Sequence, residues 1–136
     1  MITWKKSENV EDWQFVREEV FVKEQGFHNE FDDLDEMAVH ITMYREGVIA
    51  GCIRFYQDDM IYRIGRLAVL KEFRKHGCGA ALLEQAEKEI FALGGIEIRL
   101  DAQCRVKNFY AKAGYVVCGD EHLDEHVPHV EMKKML

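Results

Sequence analysis

Apolar positions change their spacing along the chain, and each change marks a new secondary-structure element. From Asn9 to about Glu24 they recur every three or four residues, which predicts an amphipathic helix whose N-cap is Ser7 or Asn9. Residues 38–70 alternate instead with a period of two, and polar pairs interrupt the alternation at Glu46–Gly47 and Asp58–Asp59. This second pattern predicts an antiparallel meander of three strands.

The helical period returns in the second half of the chain. Before a stop at Gly94–Gly95, one helical face carries Leu82, Leu83, Ala86, Ile90 and Leu93. A strand, a short helix before Gly114 and two closing strands are predicted after it, the strands at Ile96–Leu100, Tyr115–Cys118 and Val127–Met132. With a short edge strand at Ile2–Lys5, the order β-α-β-β-β-α-β-α-β-β predicts an α+β fold with a mixed sheet.

Composition narrows the class of protein. A chain of 136 residues fits a single domain, residues 1–136. Its formal net charge of −7 argues against nucleic acid as the main partner and is compatible with a cationic substrate. Apolar runs are too short for a membrane span, no signal peptide is visible, and the four cysteines include no C-x-x-C pair. We therefore expect a cytoplasmic protein without a membrane partner.

The clearest chemical signal lies between the third strand of the meander and the long helix. Here a strand, Arg66–Leu70, leads into a basic turn that contains Gly77 and Gly79. A helix start presents unpaired backbone N–H groups and the positive end of the helix dipole, and glycines let a ligand approach the backbone closely. With Arg74 and Lys75 beside it, this segment is predicted to bind a pyrophosphate.

Two common phosphate-binding motifs do not fit this segment. The Walker A pattern G-x-x-x-x-G-K-[ST] is absent, and Leu82 stands where the dinucleotide fingerprint requires its third glycine. The strands before the turn also form a meander instead of the start of a βαβ unit.

The turn does match the pattern [QR]-x-x-G-x-[GA] over Arg74–Gly79, and in this it resembles the acetyl-CoA loop of the GNAT acetyltransferase superfamily. A second segment, Asn108–Tyr115, resembles the short helix and following strand of that family, where Y-x-x-x-G-[FY] recurs. The resemblance extends over nearly the whole chain. It implies a mostly antiparallel sheet flanked by helices, in three layers (α/β/α), and acetyl-CoA as the acyl donor.

The resemblance also implies roles for single residues. It assigns to the donor site Leu67, Ala68, Val69, Arg74, Lys75, His76, Gly77, Cys78, Gly79, Ala80, Gln103, Phe109 and Tyr110. Backbone groups of Leu67 and Val69 would pair with the pantetheine arm, and one N–H would polarise the thioester carbonyl. The Tyr110 hydroxyl would protonate the leaving thiolate; the alternative is a packed aromatic ring beside Phe109.

A narrower likeness is to the ElaA-like branch of this family. It rests on Val20–Gln25, Ala38-x-His40, Ala102–Gln103 and Val127–Met132. This likeness implies an acceptor site that includes Gln25, His40, Gln103 and His129. An alkylammonium acceptor must lose a proton before it attacks, and a histidine such as His40, or the Glu24 carboxylate, would be the base. Each histidine would otherwise be a satisfied structural group.

Two other chemistries compete with direct transfer. Cys78 lies at a helix N-terminus, which lowers a thiol pKa and suits a covalent acyl-enzyme, but it occupies the unspecified position of the loop. His122, His126 and His129 are spaced like metal ligands, but Pro128 interrupts any helix that would align them. No metal is therefore expected.

The sequence thus predicts acetyl transfer from acetyl-CoA to a primary amine of a small molecule, by direct attack in a ternary complex. The alternatives are a non-catalytic CoA-binding module with the same fold and a protein N-acetyltransferase. Homodimers are common among chains of this size, so a homodimer stays open beside the monomer.

Overall fold

One mixed sheet of eight strands organises the computed structural model, which describes residues 1–136. The strands are β1 (Ile2–Lys6), β2 (Val39–Arg45), β3 (Val48–Asp58), β4 (Ile61–Val69), β5 (Glu97–Gln103), β6 (Val116–Val117), β7 (His122–Asp124) and β8 (Val127–Met135). Their order in space is β1-β2-β3-β4-β5-β8-β6, and β7 pairs with β8. All pairs are antiparallel except β4 with β5.

Helices cover both faces of the sheet. They are α1 (Val10–Arg17), which a π-helix continues over Glu18–Glu24, α2 (Cys78–Ala92) and α3 (Lys107–Lys112). Helix α2 packs with Ile53 of β3 in one apolar cluster of 17 buried residues, and α1 packs with Cys52 in a second cluster of 8. Because neighbouring residues of a strand point to opposite faces, α1 and α2 lie on opposite sides of the sheet. The predicted three-layer α+β fold is confirmed.

The start of the first helix differs from the prediction. Asn9 does occupy the N-cap position, but its φ is +56° and its side chain donates a hydrogen bond to the Tyr44 hydroxyl instead of capping the helix. The Ser7 hydroxyl accepts the N–H of His40. The predicted N-cap position at Asn9 is therefore confirmed, but neither side chain makes a capping hydrogen bond to the helix.

The strands β4 and β5 separate along their length. Only Tyr62–Ile64 of β4 pair in parallel with Ile98–Leu100 of β5, although β4 continues to Val69 and β5 continues to Gln103. Beyond Ile64, the edge of β4 that faces β5 therefore has no strand partner. Unpaired backbone groups need other hydrogen-bond partners, so this opening is suited to an extended ligand.

A bulge in β4 lies beside the opening. Cys52 of β3 pairs with Ala68, and Arg54 pairs with Gly65, so that Arg66 and Leu67 together lie opposite a single residue of β3. Arg66 has a φ of +53°, which is uncommon for a residue with a side chain. The bulge redirects the backbone at the point where β4 leaves β5.

Candidate active site

The separated ends of β4 and β5 form the wall of a cavity of about 590 Å³. The remaining walls come from the π-helix, the loop before α2, the start of α3 and the β7–β8 hairpin. Of the predicted donor-site residues, the cavity is lined by Leu67, Ala68, Val69, Arg74, Lys75, Gly77, Cys78, Gly79, Ala80, Gln103, Phe109 and Tyr110. His76 is exposed and does not line it.

The loop before α2 has the backbone geometry of an anion site. Gly77 is the N-cap with a φ of +77°, and the first intrahelical bond runs from the N–H of Ala81 to the carbonyl of Gly77, at 3.0 Å. The N–H groups of Cys78, Gly79 and Ala80 precede this bond and have no intrahelical acceptor. They point along the helix axis toward the cavity end, where an anion is favoured by the helix dipole.

Gly79 is also held close to the short helix α3. A Cβ atom at this position would lie 3.3 Å from Cζ of Phe109. The absence of a side chain therefore lets the Phe109 ring pack against the start of α2. This contact joins the loop to the helix that carries Tyr110.

Arg74 does not hold its guanidinium free for a phosphate. Its Nη1 and Nη2 donate to the Glu24 carboxylate at 2.7 and 2.6 Å, and its Nε donates to the carbonyl of Val69 at 3.0 Å. Hydrogen bonds from Arg74 lower the pKa of Glu24, so this carboxylate is a weaker base than an ordinary glutamate. In this structure the pair ties the loop to the π-helix and to the end of β4, and Glu24 is poorly suited to the predicted role of base.

Tyr110 lies on the cavity wall with its ring edge-on to two other aromatic rings. The ring centroids of Phe109 and Tyr115 are 5.1 and 6.0 Å away, respectively. Burial raises the pKa of Tyr110 to about 12, because the phenolate would be poorly solvated. The hydroxyl therefore keeps its proton at neutral pH and can act as a donor.

His129 and Gln103 also line the cavity, and they are paired across β5 and β8. Gln103 donates to the side-chain oxygen of Gln25 at 2.8 Å. His129 is only 6% exposed, and its Nδ1 lies 2.9 Å from the carbonyl of Val127. A carbonyl only accepts, so Nδ1 carries the hydrogen, and Nε2 is left as an acceptor with no protein partner.

The structure contradicts the assignment of His40 to the acceptor site. His40 is buried away from the cavity, where its ring stacks on Trp13 with centroids 3.8 Å apart. Its Nε2 donates to the backbone carbonyl of Asp35 at 2.9 Å. Burial lowers the pKa of His40, so the ring is a neutral structural group.

The other two chemistries find little support in the geometry. Cys78 is 3% exposed, and its side chain belongs to the apolar cluster under α2. His122 and His129 are partners across β7 and β8, not members of one helix, and no group of three or more His, Cys, Asp or Glu is arranged to hold a metal ion. None of the helices combines the length and the apolar character that a membrane span requires.

A buried ionic network behind the β4 bulge was not predicted from the sequence. Arg17 donates to Glu30 at 2.9 Å and to Asp35 at 2.7 Å, and Arg54 also donates to Asp35 at 2.8 Å. Burial opposes ionisation of Asp35, but hydrogen bonds from Arg17 and Arg54 lower its pKa to about 2. Arg66 of the bulge contacts the same Glu30, at 2.9 Å, so the network fixes the wall of the cavity.

The sequence also missed several lining residues at the hairpin end of the cavity, among them Asn29, Asp101, Asp124 and Glu125. None of these residues belongs to a recognisable sequence motif. Only the alternating pattern of β5, which places Asp101 on the same face as Gln103, could have indicated one of them.

A free strand edge, a helix N-terminus open to an anion and a protonated tyrosine along one cleft are the features of an acyltransferase that uses coenzyme A. Residues 6–136 match the family model described as the acetyltransferase (GNAT) domain, and the chain belongs to the GNAT acetyltransferase family.

Individual relatives agree with this membership. YjcF of Bacillus subtilis (strain 168), described as an uncharacterized N-acetyltransferase, is 36% identical over 133 residues, which are 96% of this chain and 95% of YjcF. Escherichia coli ElaA superposes with a TM-score of 0.87 at 22% identity, over 98% of this chain and 99% of ElaA, which confirms the predicted likeness at the level of the fold. The PaiA N-acetyltransferase of Thermoplasma acidophilum, solved in complex with coenzyme A, superposes with a TM-score of 0.78 at 18% identity, over 100% and 99% of the two chains.

Proposed function

We propose that this protein transfers the acetyl group of acetyl-CoA to a primary amine of a small molecule, directly, within a ternary complex. The observation that carries the proposal is that the free edge of β4, the N-terminus of α2, Tyr110 and His129 all line one cavity. Acetyl-CoA as the donor is supported by the family and by a structural relative solved with coenzyme A.

The donor would lie along β4 with its pyrophosphate at the start of α2. The N–H groups of Cys78, Gly79 and Ala80 would bind the phosphates, with Lys75 as an exposed cation beside them. The pantetheine arm would take the place of a strand beside Leu67–Val69, where β5 no longer pairs with β4. The thioester would then lie near the bulge, where a backbone N–H can polarise its carbonyl.

Transfer needs one base and one acid. His129 takes a proton from the ammonium of the acceptor at its unpartnered Nε2, which leaves a lone pair on the amine nitrogen. That nitrogen attacks the thioester carbonyl carbon, and the tetrahedral intermediate loses a second N–H proton to water. As the C–S bond breaks, the thiolate takes the proton of the Tyr110 hydroxyl. The proton held by His129 then returns to the Tyr110 phenolate through solvent, so the products are the amide, the free thiol of coenzyme A and one proton released to solvent.

The buried Cys78 supports direct transfer, because a covalent acyl-enzyme needs an accessible thiolate. We also propose a cytoplasmic location. All four cysteines are free, as is usual in a reducing compartment.

The proposal is tested by measuring thiol release from acetyl-CoA with a broad library of amines. We expect release that depends on the amine, together with an equal amount of the N-acetyl product. Binding of acetyl-CoA without turnover on any amine would instead identify a non-catalytic CoA-binding module, and turnover only on peptides would identify a protein N-acetyltransferase.

A further inference from the structure

The cavity has an apolar wall at the point where β4 and β5 come together. Ile64 and Leu100 form the last pair of the parallel ladder, and both line the cavity although only 4% and 3% of their surface is exposed. Both side chains belong to the apolar cluster under α2, so they lie on the face of the sheet that α2 covers. We call these two residues the end wall.

The end wall is held in place by strands on both sides. Ile64 is paired with Phe55 of β3 as well as with Leu100. Leu100 is paired in turn with Met132 of β8. All four side chains belong to the same buried cluster. Because a close-packed interior yields little to an added methylene group, the end wall does not retreat from a ligand that is slightly too long.

The surroundings of the end wall suit an alkyl group. Leu67 of the bulge and Tyr110 both line the cavity and pack against the same apolar cluster. Burial alone raises the pKa of Tyr110 to about 12, with no charged group and no hydrogen bond contributing. A hydrocarbon chain gains free energy from contact with such a surface.

The proposed path of the donor brings its acyl group to the end wall. The pantetheine arm lies beside Leu67–Val69 and the thioester lies near the bulge. Along β4 in the same direction, the next residues are Gly65 and Ile64. A strand rises about 3.3 Å per residue, so Ile64 lies at most about 7 Å beyond Arg66. An acetyl group fits this span, and each further methylene group brings the chain closer to contact with the end wall.

We propose that Leu100, together with Ile64, sets the length of the acyl group that the protein transfers, because this pair closes the cleft directly beyond the methyl group of an acetyl donor. The inference rests on the proposed function, since it concerns the donor of the same reaction. A butyryl group would have to displace the end wall or turn out of the cleft, so its transfer is expected to be slower.

Initial rates of thiol release with one amine and with acetyl-CoA, propionyl-CoA and butyryl-CoA provide the test. In the wild type we expect kcat/KM to be about ten-fold or more lower for butyryl-CoA than for acetyl-CoA, the discrimination that an apolar pocket can supply. In Leu100→Ala the space left by the side chain can hold the longer chain, so the ratio of butyryl-CoA to acetyl-CoA is expected to rise about ten-fold or more.

Two milder variants and one control complete the set. Leu100→Val and Ile64→Val remove less of the core, so they test the end wall even if Leu100→Ala fails to fold, and both are expected to shift the preference toward propionyl-CoA. Ile98→Ala is the matched control. It truncates a buried aliphatic side chain on the same strand and in the same cluster, but Ile98 does not line the cavity.

Calorimetric titration with the same three acyl-CoAs needs no acceptor and separates the inference from the function on which it rests. Equal kcat/KM for acetyl-CoA and butyryl-CoA in the wild type, or a ratio that changes equally in Leu100→Ala and Ile98→Ala, overturns the inference and leaves acetyl transfer to amines standing. No thiol release with any amine overturns the proposed function, and the ratio of the two Kd values then decides the inference. A preference for acetyl-CoA that Leu100→Ala reduces and Ile98→Ala keeps supports it, and a ratio that neither variant changes overturns it.

Discussion

Tyr110 owes its proposed chemistry to burial. Its pKa of about 12 exceeds that of an exposed tyrosine. Transfer of its proton to a free thiolate is therefore unfavourable, because the pKa of an ordinary thiol is only about 8.5. The same poorly solvated cavity also raises the pKa of a thiol within it, which narrows this gap. Tyr110 is therefore suited to donate a hydrogen bond throughout the reaction and its proton only as the C–S bond breaks.

Replacing Tyr110 with phenylalanine separates a catalytic hydroxyl from a packing ring. We expect Tyr110→Phe to lower kcat by about 10²–10⁴-fold if protonation limits the rate, with little change in acetyl-CoA affinity. The measurement is steady-state kinetics beside a thermal melt.

Tyr115→Phe is the matched control for this substitution. Tyr115 is a neighbouring buried tyrosine whose hydroxyl donates to Glu87 at 2.8 Å, outside the cavity. Its loss is expected to reduce stability by about 1 kcal/mol and to leave kcat unchanged. If Tyr110→Phe behaves like this control, Tyr110 has no role in the mechanism.

His40 provides a prediction on stability and pH. Because the folded pKa of His40 lies below the unfolded value of 6.5, the unfolded chain binds a proton first as the pH falls. The contribution of His40 is thus fully present above pH 6.5 and is lost as the pH falls through the folded pKa.

His40→Gln, which keeps a donor for the Asp35 carbonyl, should lose the stacking on Trp13 and about 1–3 kcal/mol of stability at neutral pH. The difference in unfolding free energy between wild type and variant should shrink at acid pH, and kcat should stay the same. Urea unfolding at several pH values and a kcat measurement check both points. A large drop in kcat would instead show that His40 has a role in catalysis.

Among the secondary-structure elements, those specified by a pattern over many residues were predicted correctly. The period of α2 and the alternation of β2 to β4 rest on long segments, and both were confirmed. The π-helix after α1 was not foreseen, since the spacing of Val16, Val20 and Phe21 fits either winding. Strand β7 was missed because its three residues are all exposed and show no alternation of apolar and polar positions. The bulge was missed because the residue with positive φ is Arg66, and arginine is not a typical turn residue.

Gly79 lies in the loop before α2, where the phosphates of acetyl-CoA are proposed to bind. Gly79→Asp would crowd Phe109 and place a carboxylate among the phosphates, so acetyl-CoA affinity should collapse while the fold is kept. Gly79→Ala isolates the crowding, because it adds the same Cβ without the charge, and a smaller loss is expected. Calorimetric titration with acetyl-CoA and circular dichroism provide the measurements. Normal binding by Gly79→Asp would mean that the phosphates bind elsewhere.

The ion pair between Glu24 and Arg74 joins the π-helix to the loop before α2. If Glu24 positions the loop through Arg74, Glu24→Gln should raise KM for acetyl-CoA several-fold and leave kcat nearly unchanged. Glu19→Gln is the matched control, because Glu19 is paired with Lys23 on the exposed side of the same helix. Full steady-state kinetics in acetyl-CoA distinguish the roles: a fall in kcat with constant KM would make Glu24 the base after all.

At the scale of the whole molecule, the site exists because one parallel pair of strands separates. The loop and Tyr110 could be predicted from the sequence, since each belongs to a continuous motif. The partnership of Glu24 with Arg74, which are 50 positions apart, could not be predicted, and neither could the presence of Asp101, Asp124 and Glu125 in the same cavity wall as His129. These arrangements depend on strand register and on the path of the hairpin, which no local pattern encodes.

The central claim is that this cavity passes an acetyl group from coenzyme A to an amine. The most direct measurement uses acetyl-CoA labelled with carbon-13 in the acetyl group, mixed with the protein and the best amine, and follows the label by mass spectrometry. We expect the label in an N-acetyl amine in equal amount to free coenzyme A, no labelled protein at any time, and loss of transfer in Gly79→Asp. A labelled protein, or transfer that Gly79→Asp leaves intact, would contradict it.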